Sequence, residues 1–145
     1  MQGGESGLNY YNNLGIGKWG LMMDEMTYNN VDVSKDHHAM MALLDSGNST
    51  IQIPLSMYTK MISEMRKNEK SVYSDLFNGQ QILAARKSCK DLYDVLGPIE
   101  FDLQGTRILI RPKGYLLNKP FVNDTRYCRG PHIIYVSIGS NHVKP

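Results

Sequence analysis

The sequence has no apolar run approaching the ~20 residues that cross a bilayer as a helix, no excess of one charge, and only two cysteines. The first absence removes a helical membrane span from the reading. The second removes nucleic acid and anionic membranes as partners. Sixteen Lys and Arg stand against fourteen Asp and Glu, for a net charge of +2, and the two signs are interspersed, so the basic patch that such partners need is missing. The third leaves two options for Cys89 and Cys128, one disulfide or two reduced core thiols. There is also no internal repeat and no low-complexity stretch. The opening residues, Met1 to Gly7, lack the basic start and apolar centre of a signal peptide, so the expectation is a chain without an export address as written.

Two tempting motifs fail on spacing. Gly15-Ile16-Gly17-Lys18 suggests a phosphate loop, but Trp19 stands where Ser or Thr should follow the lysine, and Asn12 where the first glycine belongs. His37-His38 suggests a metal, but neighbouring side chains on a strand point to opposite faces, and no Cys or His lies at a helpful spacing. They read as two solvated loop histidines. No metal and no cofactor are expected.

At 145 residues the chain fits one domain with a sizeable core. Gly3 to Asn13 reads as turns around a short strand. Trp19 to Tyr28 reads as a strand, Asn29-Asn30 as a hairpin turn and Val31-Asp32-Val33 as the return. Ser34 to His38 is a polar loop. The apolar run from Ala39 to Leu44 is too short for a buried helix and suits a buried strand. It ends on Asp45-Ser46-Gly47, a sharp turn in which Ser46 and Asn48 can bond nearby main chain and Gly47 tolerates a conformation other residues avoid. Ile51 and Ile53 resume the apolar pattern, so a carboxylate sits at the tip of a strand-turn-strand.

From Pro54 to about Lys67 the spacing predicts a helix. Pro54 suits the first turn, and Leu55, Tyr58, Met61, Ile62 and Met65 form one apolar stripe. Asn68 to Ser88 reads as a loop with a short helix or strand in it. Beyond Cys89 the reading becomes β. Ile99 to Leu103 alternates as a half-buried strand should, Gln104-Gly105-Thr106 turns, and Arg107 to Arg111 returns. Pro112 to Leu117 reads as a strand or extended turn, and Ile133 to Ile138 as a last apolar run closed by Gly139.

Apolar-apolar-Asp-Ser-Gly-x-Ser, at Leu43 to Ser49, resembles the active-site signature of pepsin-like aspartic proteases. The order around it resembles that family's C-terminal lobe. Gly3-Gly4-Glu5 and Tyr10-Tyr11 look like its opening turn and aromatic strand, and Trp19 with its strand looks like the Tyr-Trp strand and hairpin. Cys89, Ile99 to Gly105, Pro112 to Tyr115, Cys128 and Ile138-Gly139 follow in family order. The resemblance implies a mainly β fold spanning residues 1–145: a single lobe of antiparallel sheets with one well-formed helix after the catalytic turn. The N-terminal lobe and last strands of the family are absent from this sequence. It implies Asp45 as a catalytic aspartate, Ser46, Gly47 and Asn48 as the active-site turn, and Ser49, Thr50 and Gln52 as the nearest substrate-binding candidates. It also implies a Cys89–Cys128 disulfide, which the chain-entropy view puts at about 4 kcal/mol, and a secreted or lysosome-like location. Asn48 and Asn123 each open an Asn-x-Thr acceptor pattern, of which only Asn123 is a sensible glycan site. The family usually has Thr or Ser where this chain has Asn48, and its Pro stands one residue farther from the strand than Pro98 does from Ile99.

The sequence contains no second Asp-Thr/Ser-Gly and no flap hairpin with its Tyr. In the family two carboxylates about 3 Å apart share one proton, because like charges that close cannot both ionise. A carboxylate alone in water titrates near 3.9 and is a weak base at neutral pH. The resemblance therefore implies half a site in an aspartic endopeptidase, inactive as an isolated chain, which acts on a peptide or protein substrate once an N-terminal lobe or a second copy completes it. The alternatives are a retroviral-type homodimeric aspartic protease and a non-catalytic, protease-like remnant that binds peptides.

Overall fold

In the computed structural model, which describes residues 10–13, 19–37, 40–47, 50–77, 80–116 and, through the backbone, 128–135, the longest strand is β1, Trp19–Tyr28. It turns at Asn29 and Asn30, whose φ angles of 48° and 65° lie in the left-handed region that asparagine tolerates and type I′ hairpins require. The return strand is β2, Val31–Asp32. Beyond it the polar loop is partly internal, because the buried Ser34 hydroxyl accepts the Met26 N–H at 2.9 Å and donates to Asp32 at 2.8 Å. His37, read from sequence as solvated, is half-buried and hydrogen-bonded to the Ser56 hydroxyl. Tyr10 to Asn13 is not strand. The sequence readings on Gly3 to Asn9, Gly15 to Lys18, His38, Asn123 and Val136 to Gly139 lie outside the described residues.

Strand β3, Met40–Leu44, runs antiparallel to β1 with Trp19 opposite Leu44 and Met23 opposite Met40. β4, Ile51–Ile53, leads into helix α1, Leu55–Asn68, with Pro54 at the N-cap rather than in the first turn. The helix buries Met57, Tyr58, Met61 and Met65. Leu55, placed on the buried stripe by its spacing, is 46% exposed, and Met57 takes the inward position. Asn68 to Ser88, expected as a loop with a short helix or strand in it, holds a full hairpin of β5, Val72–Phe77, and β6, Gln80–Ala85. Ile82 to Ala85 are all buried there, which explains why β6 lacks the alternation that marks a half-buried strand. Cys89 opens one turn of helix, α2, Cys89–Leu92, capped by the Ser88 hydroxyl. The hairpin of β7, Ile99–Leu103, and β8, Thr106–Ile110, stands where the alternation put it, with Gln104 and Gly105 at positive φ in its turn. Pro112–Tyr115 is a single helical turn, α3, rather than strand or extended turn, since Pro at a helix start costs no hydrogen bond. Strand β9 is Cys128–Tyr135.

Two sheets result. One runs β2-β1-β7-β8, with β3 also on β1, and the other runs β4-β9-β6-β5. Every described pairing is antiparallel except β4 with β9, where Ile51 lies against Ile133 and Ile53 against Tyr135. The core joins Met26, Tyr28 and Ile99 of the first sheet to Met57, Met61 and Met65 of α1 and to Val72, Leu83 and Leu92.

Two polar nodes fasten this core. At the first, Gly97 donates its N–H to the Tyr28 hydroxyl at 2.9 Å, and the Tyr115 hydroxyl donates to the Gly97 carbonyl at 2.7 Å. Burial pushes both phenols above their ordinary pKa. A Cβ on Gly97 would stand 2.6 Å from the Asn29 Cβ, an atom fixed to the hairpin backbone, so the turn itself would have to shift. Gly97→Ala is expected to cost about 1–3 kcal/mol, read as a lower urea midpoint with an unchanged slope.

At the second node, Glu69 is buried just past α1. It accepts the Lys87 ammonium at 2.7 Å and the Ser71 N–H at 3.1 Å. The bond from Lys87, aided by Ser71, lowers its pKa from 4.5 to about 2. A carboxylate whose folded-state pKa is depressed stabilises fully above its unfolded value and loses that contribution as pH falls. The Glu69 contribution is therefore whole above pH 4.5 and declines from there towards about 2. Urea midpoints of the wild type should fall more steeply over that window than those of Glu69→Gln. Equal slopes would remove Glu69 from the acid response.

Candidate active site

Asp45 stands where the chain crosses from one sheet to the other. β3 brings it up on the first sheet, and after the turn β4 enters the second. Asp45, Ser46 and Gly47 are all exposed. One Asp45 oxygen accepts the Gly47 N–H at 3.0 Å, a local turn closed by the acid itself. The sequence offers Ser46 and Asn48 for such bonds as well, and Asn48 lies outside the described residues. Gly47 is not in the left-handed region. A Cβ there would lie 3.3 Å from that same Asp45 oxygen, a tight contact that the exposed carboxylate would have to ease by a few tenths of an ångström.

The strand leading to the turn corrects the sequence reading most sharply. Met40 to Leu44 is a strand as expected, but not a buried one: Met41, Leu43 and Leu44 are each about half exposed, at 49%, 51% and 53%. The reason lies in the sheet. β3 pairs only with β1 among the described strands, and while Met40 and Ala42 pack against the core, the face bearing Met41 and Leu43 is left open. Trp19, opposite Leu44, is 70% exposed and extends this apolar rim.

Behind the rim lies a groove of about 540 Å³ between the first sheet and the segment formed by β4 and the start of α1. Met40, Ala42 and Leu44 form one wall, Phe101, Ile108 and Ile110 continue it, and Ile51, Ile53 and Met57 stand opposite. Thr50 and Gln52, two of the three substrate-binding candidates, also line it. Asp45 is the one ionisable group among the lining residues. The structure thus brings Asp45, Thr50 and Gln52 to one opening, with no second acid in that lining. Asn48 and Ser49 lie outside the described residues. No sequence signal marked the groove, because its walls combine β1, β3, β4, the start of α1, β7 and β8, and each reads as ordinary core.

Cys89 is buried at the start of α2. Cys128 begins β9 opposite Ala85, and its side chain lies outside what is described. Among the described residues no group of three or more His, Cys, Asp or Glu is placed to hold a metal ion, and no helix is long and apolar enough to cross a membrane.

What the turn can do follows from its surroundings. It presents a carboxylate to solvent between two strands, β3 and β4, beside apolar surface that an extended peptide can cover. The family model for eukaryotic aspartyl proteases matches residues 5–137. No curated protein matches the chain. With mainly antiparallel sheets, few helices and a family match over most of its length, the chain belongs to the pepsin-like eukaryotic aspartyl proteases, a family of aspartic-type peptidases.

Proposed function

We propose that this chain contributes one of the two catalytic aspartates, Asp45, to an aspartic endopeptidase, as that enzyme's C-terminal lobe. The observation that carries the reading is the exposure of Asp45 on a braced turn between two sheets, rimmed by uncovered Met41, Leu43 and Leu44. A surface acid in a plain loop has no reason to be ringed by bare aliphatic side chains. An acid that faces a second lobe does.

In this mechanism Asp45 and a carboxylate from the completing lobe share one proton. The ionised member takes a proton from a water as that water attacks the scissile carbonyl. The protonated member donates to the carbonyl oxygen, which gives a neutral gem-diol. Return of a proton to the amide nitrogen then releases the two peptides. Ser46, Gly47 and Asn48 hold the turn, with Asn48 offering an amide donor where the family has a hydroxyl. Ser49, Thr50 and Gln52 meet the substrate's extended backbone. A Cys89–Cys128 disulfide would tie α2 to β9, a reading supported by the family order of the two cysteines.

One carboxylate cannot fill both roles, so the isolated chain is expected to be inactive. The test supplies the missing half, either an N-terminal lobe carrying Asp-Thr/Ser-Gly or a raised concentration of the chain itself. Cleavage of an unstructured protein is followed from pH 3 to 7 with and without a transition-state-mimicking peptide, alongside sedimentation. Inhibitable acid cleavage that appears only on completion supports the proposal, and sedimentation shows which partner completed it. A folded chain that stays silent with either partner at every pH would refute it.

A further inference from the structure

Away from the groove, the outer face of the first sheet gathers charge around a buried hydroxyl. Register sets Glu25 of β1 opposite Asp102 of β7, and Thr27 opposite Glu100. Asp102 in turn lies opposite Arg107 of β8. Met26 and Tyr28, which alternate with Glu25 and Thr27, are buried in the core, so the charged set shares the other face. These five side chains line a hollow of about 10 Å³, room for one water-sized group.

Two observations show what this hollow lacks. Arg107 reaches towards all three acids but stops 3.9 Å from Glu25, 3.5 Å from Glu100 and 3.9 Å from Asp102. Charge-assisted hydrogen bonds are closer, at about 2.7–2.9 Å, and one guanidinium leaves three carboxylates with negative charge in excess. Thr27 is only 9% exposed, and its hydroxyl has no hydrogen-bond partner. A buried polar atom left that way is costly and calls for a missing partner.

Size and charge identify that partner. A guanidinium is too broad for the space of one water, in keeping with the distances Arg107 keeps. A metal ion needs ligands converging at about 2.0–2.6 Å, and no group of three acids among the described residues is placed for one. A primary ammonium is about as large as a water and carries three donors, enough for the Thr27 oxygen and two carboxylates. We propose that this hollow receives the ammonium of a lysine side chain from a partner protein, with Arg107 swinging aside to admit it. The Arg107 side chain is 64% exposed and makes no close bond to the acids. Leu109, half-exposed and opposite Glu100, gives the lysine stem an apolar surface to lie on. None of the five residues lines the groove beside Asp45, so the lysine site is independent of any catalytic role for that acid.

The test follows the backbone amide NMR signals of Thr27, Glu100 and Asp102 in the full chain at pH 7 and constant ionic strength. The probes are lysine blocked at both ends, its arginine counterpart, and methylamine. Blocked lysine should shift these signals saturably, and the other two should bind several-fold more weakly. Thr27→Val, which keeps the side chain's shape, should weaken lysine binding about tenfold, the worth of one hydrogen bond to a charged group. Arg107→Ala should tighten it several-fold, because the competing cation is gone. Melting temperatures check that both variants fold, and if Thr27→Val does not, Asp102→Asn replaces it with a similar loss expected. Equal shifts with lysine and arginine would reveal diffuse charge attraction, and equal affinity for methylamine a site for free amines. Either result overturns the proposal, as does unchanged binding in Thr27→Val or weaker binding in Arg107→Ala.

Discussion

Asp45→Asn should abolish peptide cleavage by the completed enzyme and leave the fold's stability within about 0.5 kcal/mol of the wild type. The amide cannot accept the proton of the attacking water, and general acid–base catalysis by a placed side chain is worth about 10²–10⁴-fold. With the shared proton also gone, the loss should lie at or beyond the upper end of that range. The fold is spared for a local reason. Asp45 is exposed, and its one described bond, accepting the Gly47 N–H at 3.0 Å, can equally be made by an asparagine oxygen. Cleavage at acid pH and thermal melting of the same preparation check both halves. Retained cleavage would move the chemistry to another residue.

Met61→Ala should produce the largest loss of stability from one exposed-to-buried contrast on the helix. Met61 has no exposed surface, and its neighbours Met57 and Met65 have none either, with Tyr58 at 2%. Removing a fully enclosed methionine costs about 2–5 kcal/mol, through lost transfer energy and the cavity left behind. For a domain of this size that is roughly a 5–15 °C fall in melting temperature. Leu55→Ala, one and a half turns earlier and 46% exposed, should cost under about 1 kcal/mol. Sequence periodicity gives these two residues equal standing, so the pair tests the structure rather than the pattern. Equal losses would mean that the helix is rotated from the orientation described.

Where one local rule decides, the sequence already shows the result. The β1–β2 and β7–β8 hairpins depend on alternation and on Asn29-Asn30 and Gln104-Gly105, which accept positive φ. Helix α1 depends on a three-and-four spacing that survives an error at Leu55 because Met57 is also apolar. The β5–β6 hairpin was hidden because β6 is buried on both faces while β5 carries Ser74 and Asp75, so neither strand shows the usual pattern. Pro112 reads equally well as an extended residue or a helix start, and only its neighbours decide. At the candidate site, Asp45 and its turn were legible as a motif. The bareness of β3 was not, because an apolar run says that a surface is to be covered and does not say by what. The groove needed coordinates, since it is a property of spacing between sheets.

The parallel pairing of β4 with β9 has a consequence for how the protein comes to be made. Ile51 leaves the ribosome some eighty residues before Ile133, its neighbour in the finished sheet. Hairpins such as β1–β2 can close as soon as they emerge, but this contact must wait, and long-range pairings are the slow ones. β3 can pair with β1 as soon as it emerges, but the β4 side of the Asp45 turn waits through that whole stretch for its lateral support. Proteases would meet Ile51–Ile53 unpaired in that interval, and nascent-chain lengths short of residue 133 should be the ones most easily nicked there.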